Sequence, residues 1–169
     1  MVVGIIREAD QSLRQKMETH LVGDLRELGY QAYSSFAEFG PKALENLNEE
    51  QLYDKMRESG ADGVLTIVLL NKENEKFYVP GHVVYTPYYV YYNRFSRYYT
   101  TIYQRIYSPG YFDVSTNYFW ESNFYDLISR ELVYSVQTES FDPGSSESLG
   151  HEYGKLIVGN MVQNKVLVQ

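Results

Sequence analysis

Cysteine is absent from the 169 residues, so disulfides and thiolate metal sites are excluded. Histidine is scarce, with His20, His82 and His151 only. None has the spacing of a zinc motif, and lone histidines without a partnered motif read as surface or boundary residues. Missing too are a Gly-x-Gly-x-x-Gly loop after the first strand, a P-loop and a nucleophile elbow. The first strand leads into Arg7-Glu8-Ala9-Asp10, whose acids and lack of glycine disfavour a phosphate. No apolar run approaches the length of a membrane span. Positive charge is also short: the formal net charge is −7, which argues against a nucleic-acid partner. No cofactor, metal or catalytic residue is expected from these absences.

Apolar residues make up 44% of the chain, enough for one domain with a core. Val2 to Ile6 reads as a buried strand from the outset, which predicts a leader ahead of it in the native form. Asp10 is positioned to cap a helix with the stripe Leu13, Met17, Leu21, Leu25 and Leu28. Gly29 marks its end. Gln31 to Phe36 reads as a second strand. Asn48 with Gln51 forms a capping-box pattern for a helix carrying Leu52 and Met56, stopped by Gly60. Val64 to Leu70 is an unbroken apolar run and the most secure strand. The first 70 residues thus read β-α-β-α-β, an α/β (α+β) class with helices packed on a mixed sheet.

Residues 77–112 break that pattern. They hold eleven tyrosines, three arginines and no acid. Val83 to Tyr92 and Tyr98 to Tyr107 read as two strands of a hairpin turning near Asn93–Arg97, or as a long loop over a sheet edge. Asp113 to Ser129 and Leu132 to Ser140 form a second antiparallel hairpin through Ser129-Arg130-Glu131. Its alternation sets Leu132, Tyr134, Val136 and Thr138 on one face. Asp142-Pro143-Gly144 is a turn. Ser145 or Ser146 then caps a last helix with the stripe Leu149, Tyr153, Leu156, Ile157 and Met161. The whole chain, 1–169, reads as a single α/β domain with a Tyr-rich insert at about 77–112.

That order of elements carries several distinctive strings. Arg14 precedes Glu18 by four residues. Leu25-Arg26-Glu27-Leu28-Gly29-Tyr30-Gln31-Ala32 and Gly60-Ala61-Asp62-Gly63-Val64-Leu65 follow. Later come Asn123-Phe124-Tyr125-Asp126-Leu127, Glu131-Leu132-Val133-Tyr134-Ser135 and Thr138-Glu139-Ser140-Phe141-Asp142-Pro143. Together they resemble a family of uncharacterised lipoproteins of Gram-negative bacteria, and the likeness runs over nearly the whole chain. That family is distantly similar in fold to the TolB amino-terminal domain, CsgG and the lipoprotein activators of penicillin-binding proteins. The resemblance implies a cell-envelope location in the periplasm, anchored to the outer or inner membrane by a lipidated cysteine upstream. It implies work by protein contact and supplies no catalytic motif.

The insert is the candidate binding surface. Tyr85, Tyr88, Tyr89, Tyr91, Tyr92, Tyr98, Tyr99, Tyr103, Tyr107 and Tyr111 are interleaved with Arg94, Arg97 and Arg105. Tyrosine offers an apolar face and a polar tip at low entropic cost, and arginine adds stacking and a planar donor fork. Three functions are open. A non-catalytic interaction or assembly module would use the insert against an envelope protein. A carbohydrate-binding module would stack a cell-wall glycan on Tyr88, Tyr91, Arg94 and Tyr98. An envelope hydrolase would need Glu121 or Asp126, with Glu139 nearby, in a deep pocket with two convergent carboxylates. Elsewhere, Glu45, Glu49, Glu50 and Asp54 cluster at a helix start. Glu50 and Asp54 share a face there, as an acid/base or calcium pair would, although such a run is more often solvated. Asp126 is expected to brace the turn after it by bonding nearby backbone.

Overall fold

The computed structural model of the chain describes residues 1–6, 11–42, 44, 47–92 and 99–167. Within that, Glu49 and residues 84–92 and 99–107 are described by their backbone alone. The chain divides into two compact units, Met1–Glu73 with Thr116–Gln169, and Asn74–Ser115.

In the first unit β1 (Val2–Ile5) pairs in parallel with β2 (Gly63–Val79). β5 (Tyr111–Asp126) and β6 (Leu132–Phe141) form the expected antiparallel hairpin. The sheet order is β1-β2-β5-β6, a mixed sheet with helices packed on it. Helices α1 (Ser12–Glu27) and α4 (Ser146–Gln163) cover one face. Met17, Leu21, Leu149, Ile157 and Met161 pack there with Leu65, Ile67 and Trp120 of the strands. Leu156, assigned to the α4 stripe by spacing, is instead exposed, and Val158 takes the buried place. On the other face α3 (Glu49–Glu58) sets Met56 against Val3, Val64 and Leu127.

Local signals explain where the elements stop. Gly29 and Gly60 both carry positive φ, 90° and 83°, where a side chain would strain the backbone. The Asn48–Gln51 capping box opens α3, and Ser145 opens α4 by a capping box with Ser148. The Asp10 cap lies outside the described residues, and Gln11 at the helix start makes no side-chain cap bond.

Besides Leu156, two expectations need correction. Gln31–Phe36 is not a strand: Ser34 makes one isolated parallel bridge to Val2, and Ser35–Phe39 is a short helix, α2. Ser34 is drawn into a different task, capping α2 at the Ala37 N–H (3.1 Å) while its own hydroxyl binds Glu18. Leu132 does not join the inward alternation of β6 and is exposed. The register shifts between Phe124 and Tyr125, so Tyr134 faces Phe124 but Leu132 faces Tyr125 and Val133 is extra.

The second unit contains β3 (His82–Tyr92) and β4 (Tyr99–Ser108), an antiparallel pair running from His82↔Ser108 to Tyr92↔Tyr99. This is the hairpin form of the insert that tyrosine's strand propensity favours. A register shift between Pro87 and Tyr89 marks a bulge, as a proline that cannot donate to the ladder requires.

Candidate functional site

The described side chains of the second unit include four exposed aromatic rings, Phe77, Tyr78, Tyr111 and Phe112. Every residue from Asn74 to Tyr78 is exposed, and so is every residue from Tyr111 to Val114. Successive strand residues point to opposite faces, so neither face of these segments is covered among the described residues. Phe77, Tyr78 and Tyr111 are each about half exposed, and Phe112 is 74% exposed. The Tyr78 and Phe112 rings touch at 5.2 Å between centroids, tilted by 55°. Gly110 leaves room for this pair, since a side chain there would collide with the Tyr78 ring. An exposed ring pair of this kind is the apolar feature that recognition surfaces use.

Of the residues singled out by sequence, Tyr111 is one of these exposed rings. Tyr85, Tyr88, Tyr89, Tyr91 and Tyr92 lie on β3, and Tyr99, Tyr103, Arg105 and Tyr107 on β4, with side chains outside the described residues. The register sets Tyr85 opposite Arg105 and Tyr92 opposite Tyr99, while Tyr88 falls in the bulge. Arg94, Arg97 and Tyr98 lie outside the described residues altogether. Phe77, Tyr78 and Phe112 are not among the candidates that the sequence singles out, because they stand at the two ends of the window, away from its dense centre. The acid-free window that begins at Phe77 and ends at Phe112 was the available signal.

The carboxylates proposed for hydrolysis are held as anions by hydrogen bonds. Glu121 accepts from Gln137 Nε2 and Asn123 Nδ2, both at 2.9 Å, which keeps its pKa below the ordinary value. Asp126 accepts from the backbone N–H groups of Ser129 (2.7 Å) and Ile128 (2.8 Å), which lower its pKa in the same way. It braces the turn as expected. Glu139 is exposed on β6, opposite Phe119. Asp126 and Asp62 both line a pocket of about 260 Å³, with Met1, Leu25, Tyr30 and Phe124. A general acid needs a raised pKa, and Asp126 has the reverse. Glu50, grouped with Asp54 by spacing, instead takes a bidentate bond from Arg130 at 2.9 and 3.1 Å. That bond lowers its pKa. Arg130 also stacks 4.7 Å from the Tyr53 ring centre, tying the β5–β6 turn to α3.

Tertiary folding brings two of the three histidines together. His20 on α1 and His151 on α4 meet edge to face at 5.7 Å. His20 Nε2 lies 2.8 Å from Glu147 Oε1, and Lys16 donates to Ser146 at 2.8 Å. Gly150 and Gly154 let the helices approach: a Cβ at Gly150 would press on His20, and one at Gly154 on Asp24. One oxygen of Asp24 is buried there without a hydrogen-bond partner. Burial, then Glu27, raises the Asp24 pKa, with His151, His20 and Lys155 opposing. No group of three His, Asp or Glu residues among those described is arranged to hold a metal ion. His82 is exposed in the second unit.

The most completely satisfied polar group is Glu18, which is fully buried. Its Oε1 accepts from the Gly4 N–H at 2.8 Å, from Arg14 Nε at 3.0 Å and from Ser35 Oγ at 3.1 Å. Its Oε2 accepts from Ser34 Oγ at 2.6 Å and from the Phe36 N–H at 2.8 Å. Arg14 also donates from Nη1 to the Pro41 carbonyl (2.9 Å) and from Nη2 to Ser35 Oγ (3.3 Å). With both oxygens of Glu18 and all three guanidinium nitrogens of Arg14 bonded, this cluster is a brace joining β1, α1 and α2.

Comparison with family models, with curated proteins and with solved structures finds no match. No helix among the described residues is long and apolar enough to cross a membrane.

Proposed function

We propose that this chain is the non-catalytic body of a cell-envelope lipoprotein, tethered to a membrane in its native form, and that it works by binding another envelope protein. The observation that carries this reading is the uncovered ring pair Tyr78 and Phe112, with Phe77 and Tyr111 exposed on the opposite face. Burying the exposed part of one such ring contributes on the order of 1 kcal/mol, so the Tyr78–Phe112 pair can anchor a hot spot. Support for the compartment comes from the family resemblance of the strings around Gly29, Gly60, Asp126 and Glu139.

The reading is tested in two parts. The sequence upstream in the native gene should end in a lipidation-type cysteine, and a cytosolic start there removes the envelope assignment. For the surface, purified chain is titrated with the protein that co-purifies from envelope extract, and separately with soluble cell-wall glycan fragments. Saturable protein binding, weakened about tenfold or more by Tyr78→Ser with Phe112→Ser, supports the reading. Saturable glycan binding with the same sensitivity replaces it with a carbohydrate-binding module.

A further inference from the structure

We propose that β6 is a dimerisation edge, through which two copies of this chain join their sheets antiparallel about a two-fold axis at Gln137. β6 ends the order β1-β2-β5-β6, and nothing among the described residues pairs with its outer side. The opposite edge is treated differently, because Ser34 bridges β1 at Val2. From Tyr134 to Phe141 the pairing of β6 with β5 is regular, and this stretch contains no proline, lysine or arginine. The bulge at Val133 and the single charge of Glu139 are the guards it does have, and the regular edge between them is a template for another strand.

The side chains select the partner and the register. Tyr134 is buried, Val136, Thr138 and Ser140 are partly covered by the helix side, and Ser135, Gln137, Glu139 and Phe141 are exposed. An axis normal to the sheet keeps covered residues beside covered ones. With Gln137 on the axis, Val136 meets Thr138 of the other copy and Tyr134 meets Ser140. On the open face Val133 meets Phe141, which are 50% and 69% exposed, and Ser135 meets Glu139. The two copies of Glu139 then stand four residues apart along the strands, about 13 Å, beyond the screening length at physiological salt.

An axis at Thr138 opposes no like charges but sets Phe141 against Ser135 instead of Val133, and three other registers fail outright. An axis at Ser135 sets Glu131 against Glu139, and an axis at Glu139 sets that carboxylate against itself. An axis at Val136 buries Glu139 against Val133. Only the Gln137 axis, of these five, matches apolar with apolar and opposes no like charges. One strand edge is a small interface, so the dimer is expected to dissociate at about 1–100 µM.

The absence of cysteine makes the test clean. Sedimentation equilibrium of the whole chain should show a monomer–dimer equilibrium, and a monomer at all concentrations up to about 500 µM would overturn the proposal. Gln137→Cys should give a disulfide-linked dimer on mild oxidation, since directly opposed strand residues lie within bridging distance. Gln15→Cys, exposed on α1, should not. A dimer that Gln137→Cys fails to link faster than Gln15→Cys also overturns it. Val133→Lys with Phe141→Lys should weaken dimerisation about tenfold or more, and Val133→Lys with Phe141→Glu should restore it. Phe112→Ser should leave dimerisation unchanged, and a loss there would assign the contact to the aromatic surface instead.

Discussion

Glu18 shows how a single buried charge is made tolerable. Both oxygens are met by donors from three elements, so the cost of taking the carboxylate out of water is offset by charge-assisted bonds. Removing the charge alone should be severe. Glu18→Gln leaves Arg14 buried without its anion and turns amide hydrogens toward donors. It is expected to lower unfolding free energy by about 3–5 kcal/mol, read by urea denaturation. Asp24 behaves in the opposite sense. Its folded pKa is raised, so its proton is held more tightly in the folded state. The stability this gives is present below the ordinary aspartate pKa and is lost as pH rises through the folded value. Asp24→Asn should therefore raise the melting temperature at neutral pH, and the gain should vanish on acidification into the range where Asp24 is protonated. A gain independent of pH would show that the buried oxygen, and not its charge, is the source.

The elements that were legible in sequence are those fixed by local chemistry. The stripe on α1, the Gly29 and Gly60 stops, the caps at Asn48 and Ser145 and both hairpins follow from spacing and turn residues. Asn48→Ala should cost about 1 kcal/mol in thermal or urea unfolding, the usual worth of such a cap, because Gln51 loses its reciprocal partner as well. What the sequence hid was set by distant partners. Residues 31–36 carry strand-like side chains, yet Ser34, Ser35 and the Phe36 N–H are claimed by Glu18 across the fold. The exposure of Leu132 depends on a one-residue register shift that alternation alone cannot reveal. The meeting of His20 with His151 was equally hidden, although the Gly150 and Gly154 spacing is the trace that close helix packing leaves.

For the molecule as a whole, two compact units divide the work. The first holds the sheet, its helices and the buried polar brace, and accounts for stability. The second holds aromatic residues that its described part does not bury. This half of the candidate surface was legible as a composition bias, an acid-free window rich in tyrosine. Which rings stand in solvent was not, because exposure depends on what packs above a strand. The account separates the two roles in a measurable way. Phe112→Ser should change unfolding free energy by no more than about 0.5 kcal/mol, as for exposed positions generally, while weakening partner binding.

The most direct measurement is photo-crosslinking in intact cells, with a benzophenone amino acid placed singly at Phe112, Tyr78 or Ile128. Ile128, in the β5–β6 turn of the first unit, is 81% exposed and serves as the apolar control. The account predicts one discrete protein adduct from Phe112 and Tyr78 and none of that mass from Ile128. Equal labelling at all three positions, or no protein adduct at the two aromatic ones, would contradict it.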